Sequence, residues 1–404
     1  MKILSNITRL LAAASLRQRA GGCLLFLLLT LSGCIREPEL YLPDGGDTEV
    51  RFPFVALELE TYWNYEMIYG VTYDWKAEWL YEWDEEDKRI FGELGYVEPT
   101  VFNLRRYYTG TKPYTPHTSV SANTVTGNTF NGKYNWGFWD ILVWNDIHTI
   151  DGVQSLNFDE TTSLDYVTAY TNPTMRAARY QAPKYTRAFY APEPLFSAYE
   201  TGVEINRNLE GFDYDAERDI YIKKLSMMLE PITYIYLTQV ILINNNNKII
   251  GVDGAADLSG MARSVVVNTG TAGTDPVTVY YNSRFKKSVD TKKVYDKYGK
   301  PVDIAGGRLL TFGICGLNAN RVGSAADITD ENHHFMDVNM QFNNGMDSTF
   351  VFDVSDQVRK RYKGGVITIE IDMDTVKIPT RSGGSAFDAV VKDFEDGGTH
   401  EFEM

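Results

Sequence analysis

Ile232-Thr233-Tyr234-Ile235-Tyr236-Leu237-Thr238-Gln239-Val240-Ile241-Leu242-Ile243 runs into four asparagines, Asn244 to Asn247, and Lys248-Ile249-Ile250 resumes the apolar pattern. Tyrosine and β-branched residues suit a pleated, half-buried surface, and asparagine tolerates the backbone angles of tight turns. The pattern predicts two strands joined as a hairpin through a longer loop. Outward from it, similar runs recur at Glu49–Glu60, Phe138–Trp144, Arg263–Val267, Val277–Tyr281, Arg308–Ile314, Phe335–Phe342, Thr349–Val354 and Val366–Ile371. Short strands broken by Gly, Asn and Asp point to a mainly β chain built from β-sandwiches.

Helical signals are few. Asp74 is placed to cap a segment carrying Trp75, Trp79 and Trp83 at four-residue spacing, while Trp75, Ala77 and Trp79 also alternate as in a strand. Periodicity leaves both readings open. Ser355–Arg361 predicts a short helical turn between two strands. Asn172–Gly202 carries Pro173, Pro183, Pro192 and Pro194, which predicts interrupted structure. All seven tryptophans lie between Trp63 and Trp144.

The start of the chain carries an address. Lys2, Arg9, Arg17 and Arg19 precede the apolar run Leu24–Leu29, and Leu31-Ser32-Gly33-Cys34 follows. A basic region, a short apolar core and small residues before a cut describe a secretion signal. The run falls short of the ~20 residues that a spanning helix needs. Leu-Ser-Gly-Cys resembles a bacterial lipobox, which implies cleavage before Cys34 and acylation of that cysteine. Residues 1–33 are then a lipoprotein signal peptide, and 34–47, rich in Glu, Pro, Gly and Asp, a flexible tether.

The remaining 371 residues are ample for two domains. The expected division is a Trp-rich N-terminal β-sandwich over 48–205, a second β-sandwich over 206–379, and a tail over 380–404 that supplies a strand. Formal charge is −15, and loss of the four basic leader residues leaves −19. Such an acidic surface repels phosphate backbones and argues against nucleic acid. Membrane contact has to come through the acyl chains on Cys34. Cys23 leaves with the leader and Cys34 is acylated, so Cys315 stands alone in an apolar stretch, read as a small core residue. No disulfide framework follows.

No catalytic set emerges. A His-Glu-x-x-His run, a Gly-x-Ser-x-Gly elbow and a phosphate-binding glycine loop are all missing from the sequence. His333-His334 near Asp337 would face opposite sides of a strand, so they read as an exposed loop pair rather than a metal site. Leu258-Ser259-Gly260 reads as a structural turn. Asp84-Glu85-Glu86-Asp87 lacks the alternation and glycine of a calcium loop and reads as a solvated charge run. The expectation is a non-enzymatic protein with no cofactor and no metal. Clustered aromatics raise one alternative, glycan binding by stacking on Trp75, Trp79 or Trp136, against the reading that these residues fill the N-terminal core.

Several runs taken in order resemble the fimbrillin-like lipoproteins of Bacteroidetes. These are Phe138–Asn145 after the Asn131-Gly132 turn, Leu229-Glu230-Pro231-Ile232-Thr233-Tyr234, Asp257–Ala262, Phe352–Val358, and Gly383-Gly384 to Glu395, where Phe394 replaces an expected tryptophan. The resemblance implies two tandem transthyretin-like β-sandwiches on an outer-membrane lipoprotein at the cell surface. It implies a fimbrial anchor or accessory subunit in adhesion or fimbria assembly, joined to fimbrial subunits by strand addition. In stalk subunits of that family a leading strand is removed after a basic residue, and here Arg51 stands early in the first strand.

Overall fold

The computed structural model describes residues 54–61, 73–113, 116–147, 155–160, 166–182, 185–380 and 389–391. Cys34, the leader, the tether, Arg51 and Trp63 lie outside the described residues. Phe52–Met404 forms one compact unit.

The chain is mainly β, arranged as curled sheets packed in sandwich fashion. The first, eight-stranded sheet runs in the order Ser119–Thr126, Val101–Gly110, Gly137–Asn145, Phe196–Ile205, Ile220–Pro231, Phe54–Thr61, Thr129–Lys133, with Asp213–Asp215 beside Ile220–Pro231. The two ends of this order, Ser119–Thr126 and Thr129–Lys133, are joined by a two-residue turn, so the sheet curls back on itself. The second, ten-stranded sheet runs Gly365–Asp372, Tyr234–Ile243, Val302–Thr311, Pro276–Val289, Ile249–Ala262, Phe335–Phe342, Asp347–Asp353, Ala389–Val391. A hairpin of Pro173–Ala182 and Tyr185–Tyr190 joins it at Val279 and Tyr280. A four-stranded sheet pairs Thr271–Ala272, Ser264–Val266, Thr168–Thr171 and Leu156–Asp159.

The opening stretch forms a strand, Tyr234–Ile243, but no hairpin. Its partners are Val302–Thr311 and Gly365–Asp372, while Ile249–Ala262 pairs with Pro276–Val289 and Phe335–Phe342. The asparagines therefore carry the chain from one layer to another. Asn244, Asn246 and Asn247 take left-handed backbone angles, φ 59°, 47° and 58°. Asn245 is buried, accepts from the Ile249 amide at 2.8 Å and donates to Asp303 at 2.6 Å. Turn chemistry was legible; the direction it sends the chain depended on which strands were free to pair.

The strand Tyr234–Leu242 is buried on both faces. Tyr234, Tyr236, Val240 and Leu242 enter one hydrophobic core, with Leu258, Val279 and Met340. Ile235, Leu237 and Ile241 pack instead with Trp75, Trp79, Trp139 and Ile141. The core of the tryptophan region is thus completed by residues from beyond 205.

The boundary expected at 205/206 does not separate the strands. Phe196–Ile205 pairs with Ile220–Pro231, Thr168–Thr171 with Ser264–Val266, and Tyr185–Tyr190 with Pro276–Val289. The first sheet ends at Pro231, about 25 residues later than the sequence suggested. The proline-bearing segment is also more regular than expected. Pro173 opens the outer strand of its hairpin, where no ladder donor is needed, and Pro192 and Pro194 fall between strands.

Neither single reading of Trp75–Trp83 holds. Asp74 caps a four-residue helix, α1 (Trp75–Glu78), through the Ala77 amide at 3.1 Å. A second helix, α2 (Glu85–Phe91), starts at Asp84 with a reciprocal capping box to Asp87. Of the run Asp84–Asp87, the first three residues are exposed as in a solvated charge run, and Asp87 is not. Asp87 is fully buried, accepts from Tyr81 Oη at 2.8 Å, and pairs with Arg284 at 3.0 Å and Lys286 at 2.6 Å. Burial opposes ionisation of Asp84, but an amide bond from Asp87 and bonds from Lys286 and Arg284 outweigh it and hold the carboxyl well below its usual range.

Candidate functional site

The feature that stands apart is a gap in the first sheet. Phe196–Ile205 and Ile220–Pro231 are neighbours, yet only Phe196↔Pro231 and Ser197↔Glu230 pair. Beyond that point the strands diverge. Ser197–Ile205 keeps its other side on Gly137–Asn145, and Ile222–Leu229 keeps its other side on Phe54–Thr61. Two strand edges therefore face each other with no strand between them among the described residues. Between them lies a cleft of about 300 Å³, lined by Ser197–Glu200 on one wall and Ser226–Met228 with Glu230 on the other. Ile232, Asn268, Thr269, Gly270, Asn320 and Arg321 complete its lining.

Local chemistry explains the divergence. Pairing with Gly137–Asn145 slips between Glu200 and Val203, a β-bulge that bends the strand. Gly202 takes φ +68°, and its amide donates to Asp140 Oδ1 at 2.7 Å. Asp140 Oδ2 lies 2.8 Å from His117 Nε2 and accepts from Tyr199 Oη at 3.4 Å. His117 stacks on Tyr107 at 4.8 Å. One carboxylate inside the aromatic run Phe138–Trp144 thus fixes the bulge. At the closed end Ile232 donates to the Leu195 carbonyl at 2.8 Å and Asn320 donates to the Pro231 carbonyl at 3.1 Å. At the open end Lys223 reaches across to donate to the Glu204 carbonyl at 2.9 Å. A lysine on an unpaired edge is a known guard against unwanted pairing.

The opposite wall alternates: Met227 and Leu229 are buried, while Ser226, Met228 and Glu230 face out. What the cleft offers is main-chain donors and acceptors along two edges, with serine, asparagine and threonine hydroxyl and amide groups between. That array suits an extended peptide rather than a reacting small molecule.

None of the residues expected to bind glycan lines this cleft. Trp75 and Trp79 are 5% and 4% exposed and belong to the core, so neither presents a ring face for stacking. The reason is the layer beneath them: Ile235, Leu237 and Ile241 supply an apolar floor that the local sequence does not show. Trp136 is half-buried, packs against the same core, and accepts a bond from Tyr108 Oη at its carbonyl.

Sequence reasoning missed one polar constellation. His334 is fully buried rather than an exposed loop residue, and its Nε2 lies 2.6 Å from Asp330 Oδ2. Its Nδ1 lies 3.2 Å from the Ser259 carbonyl. Both partners are hydrogen-bond acceptors. Burial opposes ionisation of Asp330, but the bond from His334 outweighs it and lowers that pKa. Ser259, His334 and Asp330 match a hydrolytic triad by residue type only. Ser259 Oγ is tied to the Phe335 amide at 3.0 Å and carbonyl at 3.2 Å, and the histidine meets the serine carbonyl instead. Gly260 makes the approach possible: at φ +82° a Cβ there would sit 2.4 Å from the His333 carbonyl oxygen. His333 stays exposed and faces Asp353. Cys315 is partly buried beside this turn, and burial pushes its thiol up to about 12, which keeps it unreactive.

No protein-family model matches the sequence, and no curated protein matches it. Among solved structures the fold is similar to a candidate adhesin from Bacteroides ovatus (11% identity, TM-score 0.43, covering 82% of this chain and 98% of that one). It is similar to a candidate adhesin from Bacteroides thetaiotaomicron (10%, 0.43, 80% and 93%). It is also similar to the fimbrial anchor protein of Porphyromonas gingivalis (12%, 0.39, 78% and 90%). Likeness at this level assigns no function. Among the described residues no helix is long and apolar enough to cross a membrane.

Proposed function

We propose that this is a non-enzymatic, lipid-anchored envelope protein that serves adhesion or fimbria assembly by accepting an extended strand from another subunit. The single observation that carries the reading is the cleft with its two unpaired edges, Ala198–Ile205 and Lys223–Leu229. The Leu31-Ser32-Gly33-Cys34 motif supports an acyl anchor at Cys34 and a place on the outer membrane, facing the cell surface.

A guest strand of roughly seven residues would match Lys223–Leu229 at ~3.3 Å per residue. It needs its neighbours roughly 10 Å apart, twice the usual interstrand spacing, so docking has to part the Lys223–Glu204 bridge. Main-chain bonds would then supply affinity, and the lining residues would select the side chains.

Two experiments separate the parts of this reading. A photo-crosslinking residue at Ser226, in intact envelopes, should capture an extended segment of another subunit, and one at the exposed Tyr214 should not. Equal or absent adducts at both positions would remove strand capture from the account. Cys34→Ala should release the protein from membranes, and continued retention would sink the anchor.

A further inference from the structure

Asp257 and Asp337 sit directly opposite each other on neighbouring antiparallel strands, Ile249–Ala262 and Phe335–Phe342. Such partners hold their Cβ atoms ~5 Å apart, and like charges there repel. Both residues are buried, at 5% and 2% exposure. Asp257 Oδ1 and Asp337 Oδ2 have no hydrogen-bond partner among the described residues. Two carboxylates cannot both stay charged in such a place. Burial raises the pKa of each, with the Asp257 carboxylate adding to the rise at Asp337, against the opposing pull of Arg176 and Arg179. The pair therefore holds a proton under conditions where ordinary carboxyls have lost theirs.

The pair faces the hairpin arm. Asp257 lies in register with Tyr280 of Pro276–Val289, and the Arg176 guanidinium of the arm stacks 4.7 Å from the Tyr280 ring. Arg179 reaches Asp253 at 3.2 Å and Thr349, and Arg176 reaches Asp253 at 4.0 Å. Ala178, between the two arginines, is buried. Asp253 comes within reach because the strand bulges between Val252 and Ala256, with Gly254 at φ +82°. The charged and titratable groups around the pair are thus Arg176 and Arg179 on the arm, Asp253 on the same strand as Asp257, and Tyr280 and Tyr281 on the next. The hairpin's main-chain ladder to the sheet is short, Val279↔Phe189 and Tyr280↔Tyr190, so the arm is held over the pair chiefly by its side chains.

We propose that the arm Pro173–Ala182 is a proton-controlled strap, seated over the Asp257–Asp337 pair while one proton is shared between them and loosened when that proton is lost. Solvating the second charge requires water to reach the pair, and the arm stands in the way. Release would uncover the outer face of Tyr280, Asp257, Asp337 and Val351, a row that runs across three strand pairings.

Hydrogen exchange on the full chain at about pH 6 and about pH 8.5, corrected for intrinsic rates, tests this. Wild-type amides over Thr174–Arg179 should lose protection about tenfold or more at the higher pH, while Tyr234–Ile243 stays unchanged. Asp337→Asn and, independently, Asp257→Asn should keep the strap equally protected at both values. Pale pH dependence in the wild type, or the same loosening in both variants, would overturn the proposal. So would restoration of wild-type protection at high pH by millimolar calcium, which would make the pair a cation site instead.

Discussion

Ile220–Pro231 and Tyr234–Ile243 are separated by two residues and live in different worlds. The first alternates buried and exposed positions toward its end and leaves one edge unpaired over Lys223–Leu229. The second is paired along both edges and buried on both faces. A strand with every edge and face satisfied holds a structure together; one with an edge to spare can bind. Local opening free energies differ across a molecule in just this way, and binding elements come from the weaker end.

Truncation should expose the contrast most strongly. Ile241→Ala, at a fully buried position packed against the tryptophan region, should cost about 3–4 kcal/mol in urea unfolding. Leu225→Ala, half-buried on the cleft strand, should cost no more than about 1 kcal/mol. Equal costs would erase the distinction between the two strands.

The buried His334–Asp330 pair should come next. Asp330→Ala leaves the buried His334 Nε2 without its partner and should cost about 2 kcal/mol. The pH dependence has a definite sign. Asp330 is depressed in the folded state, so its contribution is complete above a carboxyl's ordinary pKa of ~3.9 and fades as pH falls through the lower folded value. Acid titration of the wild type against Asp330→Asn would show it; parallel curves would refute it.

The smallest effect on stability should accompany the clearest effect on binding. Lys223→Met removes the bridge to Glu204 and should change unfolding free energy by no more than about 0.5 kcal/mol. Crosslinking at Ser226 should rise in that variant. A fall would mean that the lysine recruits the guest strand rather than guarding the edge.

Much of the fold was legible. Phe335–Phe342 appears at the expected bounds, and Phe138–Trp144 and Val366–Ile371 appear within a residue at either end. Ser355–Lys360 forms the expected helical turn, α4 after α3 (Lys292–Tyr298). Alternation and turn chemistry are local, so they survive without tertiary information. Partner choice is not local. The asparagine turn after Ile243 carried a correct turn signal and a wrong pairing, because Ile249–Ala262 found two other strands. Trp75 and Trp79 were ambiguous until the floor beneath them came from residues more than 150 positions away. Of the cleft, Phe138–Trp144 was visible as a strand, but Asp140's hold on the Gly202 bulge was not, since 62 residues separate them.

By itself the sequence determined that the chain is mainly β, that it carries a lipobox-like Leu-Ser-Gly-Cys34, and that it contains no recognisable catalytic motif. These follow from composition, period and spacing, which are properties of neighbours along the chain. Only the tertiary structure decided that two adjacent strands part after two paired residues, that His334 and Asp330 form a buried hydrogen-bonded pair, and that Asp257 faces Asp337. Each of those depends on register and on what lies across a sheet, and a single slipped residue would move every side chain to the other face.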